Sequence, residues 1–177
     1  MEVQPVVSER LELVWLSPVF VEALLAGRLE EAQRVIGATL PPGWPEEDTL
    51  HWLAVRLKRM TDDPEAAPWL TRAMLRRSDG AFVGDIGFHG KPNAAGQAEL
   101  GYTVEAEYRR QGYASEAALA LIDWARREHA IRRFLVSISP ANAPSLGLAA
   151  KLGFQRIGTQ MDEIDGEEYV FERVFAD

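Results

Sequence analysis

The chain has 177 residues, 47% apolar and 26% charged, with no cysteine, which points to one ordinary globular domain and excludes disulfides, thiolate metal sites and a cysteine nucleophile. Its 27 acidic side chains outnumber 19 Lys and Arg, for a formal net charge of −8, the opposite of the balance a nucleic-acid binder carries; an acidic surface serves solubility or draws a cationic acceptor. The start, MEVQPVVSERLEL, is too acidic for a secretory leader and no apolar run approaches a membrane span, so a cytoplasmic protein away from the membrane is expected.

In chain order, Arg10 to Trp15 alternates as a first strand. Ser17 and Pro18 are placed as N-cap and first residue of a helix that Gly27 ends, and a second helical pattern (Leu29, Ala32, Val35, Ile36) runs to Gly37. The loop from Thr39 to Pro45 is stiffened by prolines and carries Trp44, which either folds back onto the core or walls an acceptor site. Asp48 or Thr49 is positioned to cap the next helix, with Leu50, Leu53, Ala54 and Leu57 at helical spacing. Thr61 to Pro68 reads as a connector, so residues 17–60 form an N-terminal helical flap on a sheet core of about residues 69–175 within one domain. Strands from Trp69 to Arg77 and Ala81 to His89 are joined by Ser78-Asp79-Gly80, and two late strands, Gln155 to Asp162 and Glu168 to Phe175, by a turn at Asp165-Gly166.

The stretch around which the rest is organised runs from Ala98 to Ala130. Leu100, Tyr102 and Val104 alternate with Glu99, Gly101 and Thr103 as on a two-faced strand, and from Ala114 the apolar positions recur every three or four residues as on an amphipathic helix. Between them, Arg109-Arg110-Gln111-Gly112-Tyr113-Ala114 offers no Ser, Thr, Asp or Asn where an N-cap belongs. Ser115 is the nearest capping side chain, for a helix starting one residue later, and lacks a capping-box partner. The open helix N–H groups, the two arginines and a glycine that permits close approach together suit an external phosphate. Read alone, the same six residues are equally a solvated surface turn.

Arg109, Gly112 and Ala114 match the Arg/Gln-x-x-Gly-x-Gly/Ala pyrophosphate loop of the GNAT superfamily of acyl-CoA N-acetyltransferases, which the chain resembles. The strand Phe134 to Ile138, the Asn142-x-x-Ser145 step and the Lys151-Leu152-Gly153-Phe154 ending follow in the family's order. The resemblance is specific from about Phe82 to Phe175 and looks closest to the subgroup with the ribosomal-protein N-terminal acetyltransferases. It implies an α/β fold in which a mixed, twisted sheet of about six to seven strands is flanked by helices and two central parallel strands splay apart.

It also implies acetyl-CoA as cofactor, a primary amine as acceptor (a protein N-terminus or a small molecule), direct attack without a metal, and a protein acting alone or as a homodimer. The cofactor would be held by Tyr102, Thr103 and Val104 beside the pantetheine, by Arg109, Arg110, Gln111, Gly112, Tyr113, Ala114 and Ser115 at the pyrophosphate, and by Asn142 and Ser145. Glu99 is the candidate base, acting directly or through a water, and Ser145 the candidate proton donor to the thiolate or hydrogen-bond donor to its sulfur; the position where many relatives carry a tyrosine acid is here Ala149. Trp44, His89 and Glu99 are placed at the acceptor.

Three of these residues also have a plainer reading: Asn142 as a turn residue, Ser145 as a helix cap, Glu99 as an exposed strand residue or a salt-bridge partner. His51, His89 and His129 lack metal-ligand spacing, the acidic run Asp162 to Glu168 lacks the calcium-loop pattern, and neither Gly-x-Gly-x-x-Gly nor a P-loop is present. The rival from another class is a catalytically silent acyl-CoA-binding module, which would keep the phosphate loop without needing Glu99 or Ser145.

Overall fold

The computed structural model describes residues 3–162 and 166–176. An eight-stranded sheet runs β1 (Val6–Val7), β2 (Leu11–Trp15), β3 (Arg72–Arg76), β4 (Phe82–Phe88), β5 (Gln97–Val104), β6 (Arg133–Ile138), β8 (Gly166–Val174), β7 (Gln155–Asp162) in spatial order. Every neighbouring pair is antiparallel except β5 with β6. The strand beyond the expected seven is Val6–Val7, too short to display an alternation. Of the predicted last turn, Gly166 is described at φ 76° and Asp165 lies outside the described residues.

The parallel contact is short. It pairs Gln97 with Arg133, Ala98 with Phe134 and Glu99 with Leu135, yet β5 continues to Val104 and β6 to Ile138. Beyond Glu99 the two strands therefore part, as expected. Helix α4 (Tyr113–His129) packs Ala117, Ala118, Leu121, Ile122 and Ala125 under the sheet, against Leu11, Leu13, Ile86, Phe88, Leu100 and Phe134. This apolar face of β5 fixes the strand's other face, with Glu99, Gly101 and Thr103, toward the opposite side.

Helices α1 (Pro18–Leu25), α2 (Leu29–Ile36) and α3 (Glu47–Asp62) form the flap. The Ser17 hydroxyl accepts from the Phe20 N–H (3.3 Å), Pro18 opens α1, and Gly37 ends α2 at φ 71°. The start of α3 differs from expectation: its cap position is Glu46, with no side-chain hydrogen bond, and neither Asp48 nor Thr49 caps it. Acidic Glu47 and Asp48 in its first turn complement the helix dipole instead. Among the described residues no helix is long and apolar enough to cross a membrane.

Trp44 takes the core alternative. Its ring lies 4.8 Å from that of Phe82 and 6.3 Å from that of Phe20, against a second apolar cluster that includes Val21, Leu24, Leu53 and Leu75. Its place at the acceptor is thus corrected: packing of the flap on the sheet edge holds it, and it lines neither of the cavities described below. Trp44→Ala is expected to cost about 3 kcal/mol of folding stability while leaving the thermal shift produced by CoA unchanged, measured by unfolding with and without CoA.

Candidate active site

Where β5 and β6 part, a cleft of about 240 Å³ opens, lined among others by Gly101, Tyr102, Ser137, Ser139, Asn142 and Ser145. The ladder between β4 and β5 decides which backbone groups face it. His89 N–H donates to the Glu99 carbonyl (2.8 Å) and Glu105 N–H to the Val83 carbonyl (3.0 Å), so the odd-numbered residues of β5 spend their backbone groups on β4. Leu100 and Tyr102 turn theirs toward the cleft. Of the residues expected beside a pantetheine arm, Tyr102 fits. Thr103 is engaged with β4, opposite Asp85, and the Val104 carbonyl accepts from Arg109 Nε (2.9 Å).

The chain leaving β5 makes one 3-10 turn, Ala106–Tyr108, and then enters the N-terminus of α4. Gly112 occupies the cap position at φ 83°, with no side-chain capping bond, and the first backbone bond into it is Glu116 N–H to the Gly112 carbonyl (3.0 Å). Arg110 is held at φ 61°, a left-handed conformation costing a bulky residue about 1–2 kcal/mol and the kind of strain that accompanies function. The N–H groups of Tyr113, Ala114 and Ser115 precede the first helical bond and have no capping side chain, as the sequence predicts.

Two of the residues expected at the pyrophosphate, Tyr113 and Ser115, have buried side chains. The Tyr113 side chain is buried, its hydroxyl accepting from Arg76 Nη1 (3.3 Å) with the Arg10 guanidinium 4.5 Å over its ring. Ser115 is buried as well, because both fall on the apolar stripe of α4. Gln111 donates from Nε2 to the Glu107 carbonyl (3.0 Å), bracing the turn. Arg109 and Arg110 are exposed.

The flank of the cleft is α5 (Ala143–Lys151). Asn142 is its N-cap, Oδ1 accepting from the Ser145 N–H (3.2 Å). That role, weighed for Ser145, belongs to Asn142 and leaves the Ser145 hydroxyl free to accept from the Tyr102 O–H at 3.2 Å. Burial raises the Tyr102 pKa above its ordinary value, against the pull of Ser145.

At the crotch, where the strands diverge, Glu99 is enclosed by a polar ladder that crosses four strands. Ser137 O–H donates to Glu99 Oε1 (2.6 Å), Gln160 Nε2 donates to Ser137 Oγ (3.0 Å) and to Glu168 Oε2 (2.9 Å), and His89 Nδ1 stands 3.6 Å from Glu99 Oε1. Contact with His89, aided by the Ser137 hydrogen bond and opposed by burial, holds the Glu99 carboxyl below the usual range. A second cavity, of about 360 Å³, opens on this side, lined by Arg59 of α3 and Asp63 just past its end, with His89, Lys91, Asn93, Gln97 and Glu99.

Asp85 shares this polar face. Burial pushes its carboxyl up to about 6, Arg56 of α3 opposing and Glu105 adding to the rise. Nothing in the local sequence marks Ser137, Gln160 or Arg56 for this polar face. Asp85 is the one with a local signal, a lone acid inside an otherwise buried strand.

Residues 10–155 match the family described as "Acetyltransferase (GNAT) domain". The Bacillus subtilis protein "Uncharacterized N-acetyltransferase YjdG" is 26% identical over 124 residues, covering 70% of this chain and 74% of that protein. The crystal structure of a Salmonella typhimurium acetyl transferase that "modifies N-terminal serine of 50S ribosomal subunit protein L7/L12" superposes with a TM-score of 0.67 at 17% identity, over 98% of this chain and all of that one (100%). The microcin C7 self-immunity acetyltransferase MccE, solved with acetyl-CoA and AMP, superposes with a TM-score of 0.66 at 18% identity, over 95% and 94%. At these identities the two structures bear on the fold.

Proposed function

The chain belongs to the GNAT acetyltransferase family, and on that premise we propose that it transfers an acetyl group from acetyl-CoA to a primary amine by direct attack. One observation carries the reading: β5 and β6 pair only as far as Glu99 and then part, opening a cleft lined by Tyr102, Asn142, Ser145 and His89, the partner of Glu99, while the chain leaving β5 turns into the uncapped N-terminus of α4.

In this reading Arg109, Arg110 and the N–H groups around Gly112 hold the pyrophosphate, where the helix end and the arginines favour an anion. The pantetheine arm runs between the strands on the backbone groups of Leu100 and Tyr102, with Asn142 beside it. The thioester then lies near the crotch, where a backbone N–H of β5 faces the oxygen that turns anionic as the tetrahedral adduct forms. The acceptor enters through the polar cavity under α3, a protein N-terminus or a small polar amine in the cytoplasm. Attack needs a free amine, and an α-amino group has a pKa of about 8, an aliphatic one about 10, so most of it is protonated at neutral pH. The Glu99–His89 pair supplies both a negative charge to draw the cation and a place for its proton.

Purified protein incubated with acetyl-CoA and a panel of amines, including peptides with small N-terminal residues, is expected to release CoA thiol in proportion to acceptor. CoA binding without turnover on any amine would leave the silent acyl-CoA-binding module as the function.

A further inference from the structure

The two cavities share one lining side chain, His89. Glu99 lines only the cavity under α3, and Tyr102 and Ser145 line only the splayed cleft. The amine must approach from the first cavity and react with a thioester in the second, so the group that takes its proton has to stand where they meet. His89 is placed there by β4, one residue past the strand's end, with its N–H on the Glu99 carbonyl (2.8 Å) and its own carbonyl held by the Arg59 guanidinium.

The Nε2 edge of its ring abuts Gly101. A Cβ at Gly101 would stand 2.6 Å from His89 Nε2, closer than any real contact allows, so only glycine leaves room for the imidazole here. Nδ1 faces Glu99 at 3.6 Å, a distance that a small ring rotation closes, as catalytic pairs commonly do when substrate binds. A carboxylate on Nδ1 fixes the proton there and leaves the lone pair on Nε2, the corner of the ring that faces Gly101 in the lining of the cleft. Glu99, already receiving the Ser137 O–H at 2.6 Å and held below the usual carboxyl range, is correspondingly a weak base.

We infer that His89 Nε2, not the Glu99 carboxylate, is the proton acceptor in acetyl transfer, and that Glu99 is the residue that positions it. The inference rests on the acetyl-transfer reading above. In the step, the nitrogen lone pair of the free amine forms the C–N bond and the C–S bond breaks. The proton leaving nitrogen goes to Nε2, giving an imidazolium that returns it to solvent. The thiolate takes a proton from the Tyr102–Ser145 side of the cleft. The sequence alone points to Glu99, because the approach of His89 to Gly101 depends on strand register.

Two measurements test this. Nitrogen-15 NMR of the histidines in the full-length protein with CoA bound should show His89 in the Nδ1–H tautomer, with Glu99→Gln mixing the tautomers. Kinetically, His89→Ala should lower kcat/KM about 100-fold or more, keep the CoA thermal shift, and recover part of its rate with added imidazole, which a merely structural role would not produce. Gly101→Ala, which displaces the ring without removing it, should lose a similar factor. An Nε2–H tautomer in the wild-type protein, or His89→Ala at wild-type turnover, overturns the inference. If no amine is acetylated even by the wild-type protein, the acetyl-transfer reading fails instead, and the tautomer still decides whether His89 is set up as a base.

Discussion

Gly112→Val is expected to remove nearly all of the stabilisation that CoA confers. At a CoA concentration about 100-fold above its dissociation constant, binding to the native state alone stabilises by about 2.7 kcal/mol, and a 100-fold loss of affinity would leave about 0.4 kcal/mol. For a chain of this size that is a thermal shift of about 5–11 °C collapsing to about 1 °C. The physical cause is twofold. Gly112 caps α4 at φ 83°, where a β-branched residue is strained by about 1–3 kcal/mol, so the turn would relax and its N–H groups would lose their common aim. The branched side chain would also project where a diphosphate must meet backbone.

The neighbouring space is not the obstacle, because a Cβ at Gly112 meets only the flexible end of Arg10, at 3.3 Å from Nη2. The strain lowers the midpoint of the unliganded protein as well, so the quantity to read is the difference with and without CoA. A full CoA shift in Gly112→Val would move the phosphate site away from this helix.

The backbone arrangement proposed to hold the phosphate was legible because everything in it is local: a strand, a basic glycine turn and a helix with no cap, within a span of consecutive residues. The same holds for the flap, where Ser17, Pro18, Gly27 and Gly37 announce helix ends by their own conformational preferences. Register is what single-residue signals do not carry. Ser137 reaches Glu99 because β6 pairs with β5 at Leu135 and then leaves it, and Gln160 joins them because β7 follows β8 at the far edge.

Tertiary packing decided the other differences. Trp44 could not be assigned from its loop, since its fate turned on Phe20 and Phe82, which approach from two other elements. Tyr113 and Ser115 lie in the phosphate motif by spacing, but the stripe of α4 that faces the sheet claims their side chains. Asn142 took the cap that was weighed for Ser145, because the geometry at the start of α5 puts its amide oxygen within reach of the Ser145 N–H.

Tyr102→Phe and Ser145→Ala should each lower kcat about 100-fold, and the double variant should be no slower than either, as expected of a general acid acting through one relay. The departing CoA thiolate needs a proton, and an ordinary thiol has a pKa of about 8.5. A serine hydroxyl is far too weak an acid to meet that need alone, whereas a phenol, near 10, is close to matched. Tyr102 O–H donates to Ser145 Oγ at 3.2 Å, which frees the serine proton to point at the sulfur. Burial raises the Tyr102 pKa, so the phenol keeps its proton at neutral pH until the thiolate develops. On this expectation the phenol that is absent at Ala149, a buried position on α5, would be supplied by Tyr102 from the opposite wall of the cleft.

Phenylalanine retains the ring that packs on the core, so folding stability should fall by only about 1 kcal/mol and the CoA shift should persist. Losses that add in the double variant would assign the two hydroxyls independent tasks. Wild-type kcat in Tyr102→Phe would hand the proton delivery to solvent and leave the hydrogen bond between Tyr102 and Ser145 a packing feature of the cleft.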